Sequence, residues 1–145
     1  MCFRQRVEAS NKKYVLAIFL DIRGAFDNVW WPSILAALKR VGKNQRLCYL
    51  VKNYLNDRQV LIRDEHLEVR KKAAKGCPQG SILGPHLWNI VFDGVLRVLD
   101  TWGFEAIAYA DDLAVLIEAN NVRELTLLSN LAMERTSTWC RLNKL

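Results

Sequence analysis

Histidine is scarce in this chain: His66 and His86 are the two present, and neither has an acidic or cysteine neighbour at metal-ligand spacing. Histidine-based chemistry is therefore set aside. The four cysteines, Cys2, Cys48, Cys77 and Cys140, are scattered without a Cys-x-x-Cys pair, so neither a zinc site nor a disulfide framework is expected and they read as reduced thiols. No apolar run reaches the roughly 18 to 20 residues needed to cross a bilayer. The N-terminal stretch, with Arg4, Arg6, Lys12 and Lys13, lacks the apolar centre of a signal peptide. A soluble intracellular protein without membrane contact is the expectation. No internal repeat or linker divides the 145 residues, and a content of 51% apolar and 25% charged residues excludes disorder. Acids are the minority, 15 against 21 Lys and Arg for a net charge of +6. The surplus gathers in Arg4 to Lys13, Lys39 to Arg46 and Arg70 to Lys75. From charge alone, a polyanionic partner and merely solvated basic faces are equally open.

What is present is more telling. Tyr109-Ala110-Asp111-Asp112 lies between two strand-like apolar stretches, Phe104 to Ala108 and Leu113 to Ile117, which predicts a hairpin with adjacent acids at its tip. Desolvated carboxylates repel one another and cost several kcal/mol unless a cation or hydrogen bonds compensate them. The expected occupant is a divalent metal, with a third acid supplied from elsewhere. Asp21 fills that role, ending the run Tyr14-Val15-Leu16-Ala17-Ile18-Phe19-Leu20, which reads as a strand buried on both faces. Strand-end and hairpin-tip aspartates together give all-oxygen ligation suited to magnesium. Two such ions roughly 3.5 to 4 Å apart activate a hydroxyl and stabilise a leaving phosphate, the geometry of phosphoryl transfer.

Pro32 in a first helical turn, followed by Ile34, Leu35, Leu38 and Val41 and a stop at Gly42, predicts a short amphipathic helix. Leu47, Leu50, Val51 and Tyr54 predict a second. Val60 and Ile62, then Leu67 and Val69, alternate around the turn Asp64-Glu65-His66 as a hairpin. Gly84-Pro85 opens a helix that carries Leu87, Ile90, Val91, Val95 and Val98 on one side and closes at Gly103. Asn121-x-x-Glu124 is an Asn variant of the capping box at the head of a last helix bearing Leu125, Leu128, Ala132 and Trp139. This order predicts an α+β fold, an antiparallel sheet packed on helices. The expectation for the ends is that both are cut rather than finished.

Between the acid-bearing elements lies Gly76-Cys77-Pro78-Gln79-Gly80-Ser81-Ile82-Leu83-Gly84-Pro85. Glycine allows close approach of the chain to a ligand, and Gln79 offers both a donor and an acceptor. Alone this would pass for an ordinary loop. Together with Phe19-Leu20-Asp21-Ile22-Arg23-Gly24-Ala25-Phe26-Asp27 and Tyr109-Ala110-Asp111-Asp112, it resembles the three central motifs of reverse transcriptases, in matching order and separation. The nearest likeness is to non-LTR (LINE-type) retrotransposon polymerases, and the Asn28-Val29-Trp30-Trp31-Pro32 continuation resembles R1-type elements.

The resemblance covers roughly Tyr14 to Leu145. It implies a partial reverse transcriptase domain over 1–145: the palm of a right-hand polymerase with part of the fingers, lacking upstream fingers and thumb. Carried over by position, Asp21 and Asp111 would be the principal ligands of two magnesium ions, with manganese as a substitute. The Ile22 carbonyl would help to hold the triphosphate-bound ion, and Asp112 would support the site. Arg23, Gly24 and Ala25 would lie along the nucleotide, the first two through backbone amides. Phe26 would stack beneath the sugar and exclude a 2′ hydroxyl, although a ring there also suits packing. Gln79 and Gly80 would contact the nascent pair, Pro78 and Gln79 the template, and Tyr109 the primer terminus, although Tyr109 equally suits hairpin packing. The implied partners are an RNA template, a DNA primer and deoxynucleotides, with nuclear work at integration. Asp27 and Asn28 are expected to cap the following turn. Trp30, Trp31, Trp88, Trp102 and Trp139 are expected in the core, and Cys77 is expected to be inert. A fragment that binds nucleic acid without copying it stands as the alternative reading.

Overall fold

The computed structural model describes residues 14–42, 44–64, 66–77 and 80–145. Along them run β1 (Tyr14–Asp21), α1 (Ala25–Asn28), α2 (Trp31–Val41), α3 (Gln45–Leu55), β2 (Gln59–Asp64), β3 (Leu67–Lys72), α4 (Leu83–Thr101), β4 (Glu105–Tyr109), β5 (Asp112–Ala119) and α5 (Val122–Asn143). The mixture of helices and antiparallel sheet is the expected α+β class, with α1 as an unanticipated addition. The chain forms two compact units. One runs through Arg23 and resumes over Asp93–Leu142; the other takes Gly24–Phe92 and Asn143–Leu145. Among the described residues, no helix is long and apolar enough to cross a membrane.

The first unit is built on an antiparallel sheet ordered β1-β5-β4. Alternate residues of β5, namely Leu113, Val115, Ile117 and Ala119, are buried, and opposite them on β1 stand Leu20, Ile18, Leu16 and Tyr14. The buried stripe of α5, Ala132, Thr136 and Trp139, and the buried Val95, Leu99 and Phe104 complete this core. Strand β1 corrects the expectation of burial on both faces, because Phe19 is 78% exposed. β1 is an edge strand of the described sheet, and an unbroken apolar run does not by itself distinguish a strand covered on both faces from an edge with one open face.

Both helix ends expected in this unit form by side-chain and backbone bonds. Asn121 Oδ1 accepts from the Glu124 amide at 2.8 Å, and Glu124 Oε2 accepts from the Asn120 amide at 2.8 Å, one residue before the usual capping-box partner. At the end of α4, the amides of Gly103 and Phe104 donate to Asp100 O (2.9 Å) and Leu99 O (3.0 Å). This double closure puts Gly103 in the left-handed region at φ +77°.

In the second unit, α2 buries Ser33, Ile34, Ala37 and Leu38, and α3 buries Val51 and Leu55. The first half of α4 contributes Leu87, Trp88, Val91 and Phe92. The β2–β3 hairpin is exposed along its whole length. Asp27 and Asn28 do not cap the next helix. They lie inside α1, while Trp30 precedes α2 without a side-chain cap, and Asn28 Oδ1 accepts from Lys75 Nζ at 2.7 Å. Trp88 and Trp139 are buried as expected, whereas the other three indoles are not core residues. Trp102 is 48% exposed beneath the Arg135 guanidinium, half-buried Trp30 lies beneath the Lys144 ammonium, and half-buried Trp31 donates from Nε1 to Gly76 O at 2.9 Å. Their amphipathic rings sit where one face meets a cation or a carbonyl.

Candidate active site

Three strands end together at one edge of the first unit's sheet. β4 and β5 are joined by Ala110 and Asp111 alone, since Tyr109 pairs with Asp112. So tight a turn puts Ala110 in the left-handed region at φ +53°, a conformation that costs a non-glycine residue about 1–2 kcal/mol. Asp112 in turn faces Asp21 across the β1–β5 ladder. The Ile22 amide donates to Asp111 O at 3.2 Å, carrying the ladder one step past Asp21 and holding the turn against the chain as it leaves β1.

Residues directly opposite one another share a face of the sheet. Asp21, Asp112 and Tyr109 thus form one row, and Phe19, Ala114 and Ile107 form the next. This face is open: Tyr109 is 82% and Ile107 47% exposed, beside the bare Phe19 ring. An apolar shelf therefore borders the carboxylates. Phe19 and Ile107 were missed by sequence reasoning, although the two-residue period counted back from Asp21 reaches Phe19 directly.

Asp21 and Asp112 are exposed and Asp111 is half-buried. Among the described residues, no ion pair reaches any of the three. Like charges directly opposite in a sheet are destabilising by roughly 0.2–1 kcal/mol, so the pair is held by the fold despite its repulsion. Hard oxygen donors with no ion-pair partner among the described residues have the chemistry that magnesium or manganese takes. The residues present fit a divalent ion in donor type. They do not form a closed cage, for among the described residues no three acids, histidines or cysteines converge closely enough to hold an ion.

The remaining expected site residues belong to the second unit, apart from Arg23, which is exposed where the first unit hands over to Gly24. Gly24 is left-handed at φ +64° and opens α1, its carbonyl accepting from the Asp27 (3.1 Å) and Asn28 (2.9 Å) amides. Ala25 is buried. Phe26 is half-buried with its ring 5.9 Å from that of Trp88. The glycine loop is stitched to this segment: the Gly76 amide donates to Val29 O at 2.8 Å and the Cys77 amide to Phe26 O at 2.6 Å. Gly76, at φ +90°, would bring a Cβ to 2.9 Å from Asp27 O, so the close approach requires glycine.

Burial pushes the Cys77 thiol up to about 11, which disfavours the reactive thiolate. Pro78 and Gln79 lie outside the described residues. Gly80 is left-handed at φ +76° with open space around it. Ser81 Oγ accepts from the Gly84 amide at 2.9 Å, at the entry to α4. Burial raises the Tyr54 phenol, but its hydrogen bonds to Ser81 and Arg58 and the Arg58 charge outweigh this and leave it below the ordinary tyrosine range.

The family model described as reverse transcriptase (RNA-dependent DNA polymerase) matches residues 2–145. The chain is 35% identical over 138 residues to the retrovirus-related Pol polyprotein from type-1 retrotransposable element R1 of Bradysia coprophila, covering 95% of this chain and 14% of that protein. It is 37% identical over 136 residues to a putative 115 kDa protein in type-1 retrotransposable element R1DM of Drosophila melanogaster, covering 94% and 13%. A third relative, the RNA-directed DNA polymerase from mobile element jockey of Drosophila melanogaster, is 35% identical over 122 residues, covering 80% and 13%. The chain thus spans about one-seventh of the length of the relatives it matches. With the paired aspartates at the sheet end, the glycine loop and a match along nearly its whole length, this chain belongs to the reverse transcriptase family.

Proposed function

We propose that this chain is the palm, with part of the fingers, of an RNA-directed DNA polymerase of a non-LTR retrotransposon. The observation that carries the reading is the register of Asp21 against Asp112, with Asp111 in the adjoining turn, on an open sheet face. Its partners are an RNA template, a DNA primer and deoxynucleoside triphosphates, and its work at integration is nuclear.

Asp21 and Asp111, helped by the Ile22 carbonyl and supported by Asp112, would hold two divalent ions. Such ions, when bound, supply neutralising charge at the attacking and leaving oxygens. The rest is positioning by this chain's own groups. Backbone amides of Arg23 and Gly24 orient the triphosphate, as runs of N–H groups do for anions, and Ala25 lies along the nucleotide beside them. Phe26 lies beneath the sugar and excludes a 2′ hydroxyl, its ring braced by Trp88. Gln79 and Gly80 bound the nascent pair, Pro78 and Gln79 the template, and Tyr109 the primer terminus. So placed, the primer 3′ hydroxyl loses its proton to solvent and attacks the α-phosphate in line, and pyrophosphate leaves as the bond between the α- and β-phosphates breaks.

The test is primer extension on a primed RNA template by the 145-residue chain under magnesium or manganese titration, with Asp21→Asn alongside. Metal-dependent extension that disappears in the variant is the expected result. Extension by the variant at the parent's rate would overturn the site. Binding without extension by the parent would reduce the chain to a nucleic-acid-binding part of a larger polymerase.

A further inference from the structure

The β2–β3 hairpin takes no part in the site above, yet it is the most exposed and most regularly charged element of the second unit. Its register pairs Gln59 with Lys72, Leu61 with Arg70 and Arg63 with Glu68. These six residues share one face. Along it Glu68 accepts from Arg63 Nε at 2.9 Å and from Arg70 Nε at 2.6 Å, so one carboxylate holds two guanidiniums side by side and leaves the face with a net positive charge. Exposed pairs of this kind contribute little to stability, about 0–1 kcal/mol. Their effect is to order the arginine forks, whose remaining donors suit phosphate oxygens. Alternate residues of a strand stand about 6.6–6.8 Å apart, which sets Arg70 and Lys72 in line as successive contacts along an extended polyanion.

The stripe leads somewhere. Lys72 also lines a cleft of about 430 Å³, walled by Trp30, Trp31 and Leu55 and edged by Lys52 and Arg58. Arg58 supplies an independent observation: its Nη1 is buried with no hydrogen-bond partner, while the guanidinium carbon lies 4.7 Å from the centre of the Tyr54 ring. A buried unpaired donor costs about 1–3 kcal/mol, and Arg58 adds a second positive charge beside Lys52 at the edge of the cleft. Indole walls beside such a donor suit an unstacked base, since aromatic side chains stack on any base without regard to sequence.

We infer that the basic face of the hairpin and the Trp30–Arg58 cleft form one binding track for a single strand of nucleic acid, separate from the aspartate site. The inference rests on the polymerase reading only for naming the polyanion as nucleic acid, and it needs no catalytic step. Its test is therefore run in EDTA. Fluorescence anisotropy of labelled single-stranded RNA, measured over a salt series, compares the 145-residue chain with Arg63→Gln/Arg70→Gln/Lys72→Gln. The control is Lys39→Gln/Arg123→Gln/Arg141→Gln, which removes the same charge from exposed positions elsewhere.

The hairpin variant should lower the slope of log affinity against log salt by about 2, so that a fourfold rise in salt costs it roughly 20-fold less affinity than it costs the parent. The control should leave the slope near the parent's. Equal changes in both variants, or none in either, would overturn the track, as would an unlabelled duplex that competes as well as the single strand. If the triple variant does not fold, Lys72→Gln alone carries the test with a slope change of about 0.7. Asp21→Asn should bind as the parent does, so loss of extension in that variant and failure of the track are separate outcomes.

Discussion

Asp21 and Asp112 face each other across two strands with no cationic side chain among the described residues to separate them. A pair of this kind is kept at the expense of stability. Asp112→Asn should therefore raise the metal-free unfolding free energy by a few tenths to about 1 kcal/mol while removing the response of the melting temperature to magnesium, both read by thermal unfolding with and without the ion. A fall in metal-free stability would show that the carboxylates are not in conflict. Cys77 sets a different pH limit. Its thiol titrates near 11 in the fold against an ordinary 9.0 because burial disfavours the thiolate. The unfolded chain thus releases this proton first, so the contribution of Cys77 is intact below pH 9 and is lost as pH rises toward about 11, at up to about 1.4 kcal/mol per pH unit. Urea midpoints at pH 8 and pH 10.5 should fall less in Cys77→Ala than in the parent, and parallel losses would refute the assignment.

At the scale of elements, the decisive join is between the segment Phe26–Val29 and the glycine loop. Gly76 serves that join twice, through its amide to Val29 and through its carbonyl to Trp31 Nε1. Gly76→Ala meets Asp27 O at 2.9 Å in a left-handed backbone, so it should destabilise the second unit by more than the ~1 kcal/mol typical of point substitutions, seen as an earlier urea transition. A midpoint equal to the parent's would mean that the loop shifts freely. Helix caps and hairpins were readable from local chemistry, because Asn121 and Glu124, or Gly103, act within a few residues of themselves. The open face of β1 was not, since an apolar run looks the same whether one or both of its faces are covered. Asp27 and Asn28 misled for a related reason: Asx residues before a helix are ordinary caps, but here Gly24 starts a turn of helix early and Lys75, 47 residues away, takes the Asn28 side chain.

For the molecule as a whole, the two compact units divide the expected site residues between them, with the aspartates in one and Gly24, Ala25, Phe26 and Gly80 in the other. A divalent ion bound by the aspartates stabilises the state that binds it by mass action. Magnesium should accordingly slow amide exchange in β1, β5 and the 109–112 turn more than in α2 and α3. Uniform slowing in both units would point to nonspecific ion binding.

Sequence alone determined the family, the order of elements apart from α1, the basic surplus and the three aspartates, because motifs, periodicity and capping residues express their chemistry locally. Which carboxylate faces which, which face of β1 stays open, why Gly76 must be glycine and how the hairpin aligns Arg63, Arg70 and Lys72 were decided by tertiary structure. Those properties depend on strand register and on contacts between residues tens of positions apart, and no local pattern encodes them.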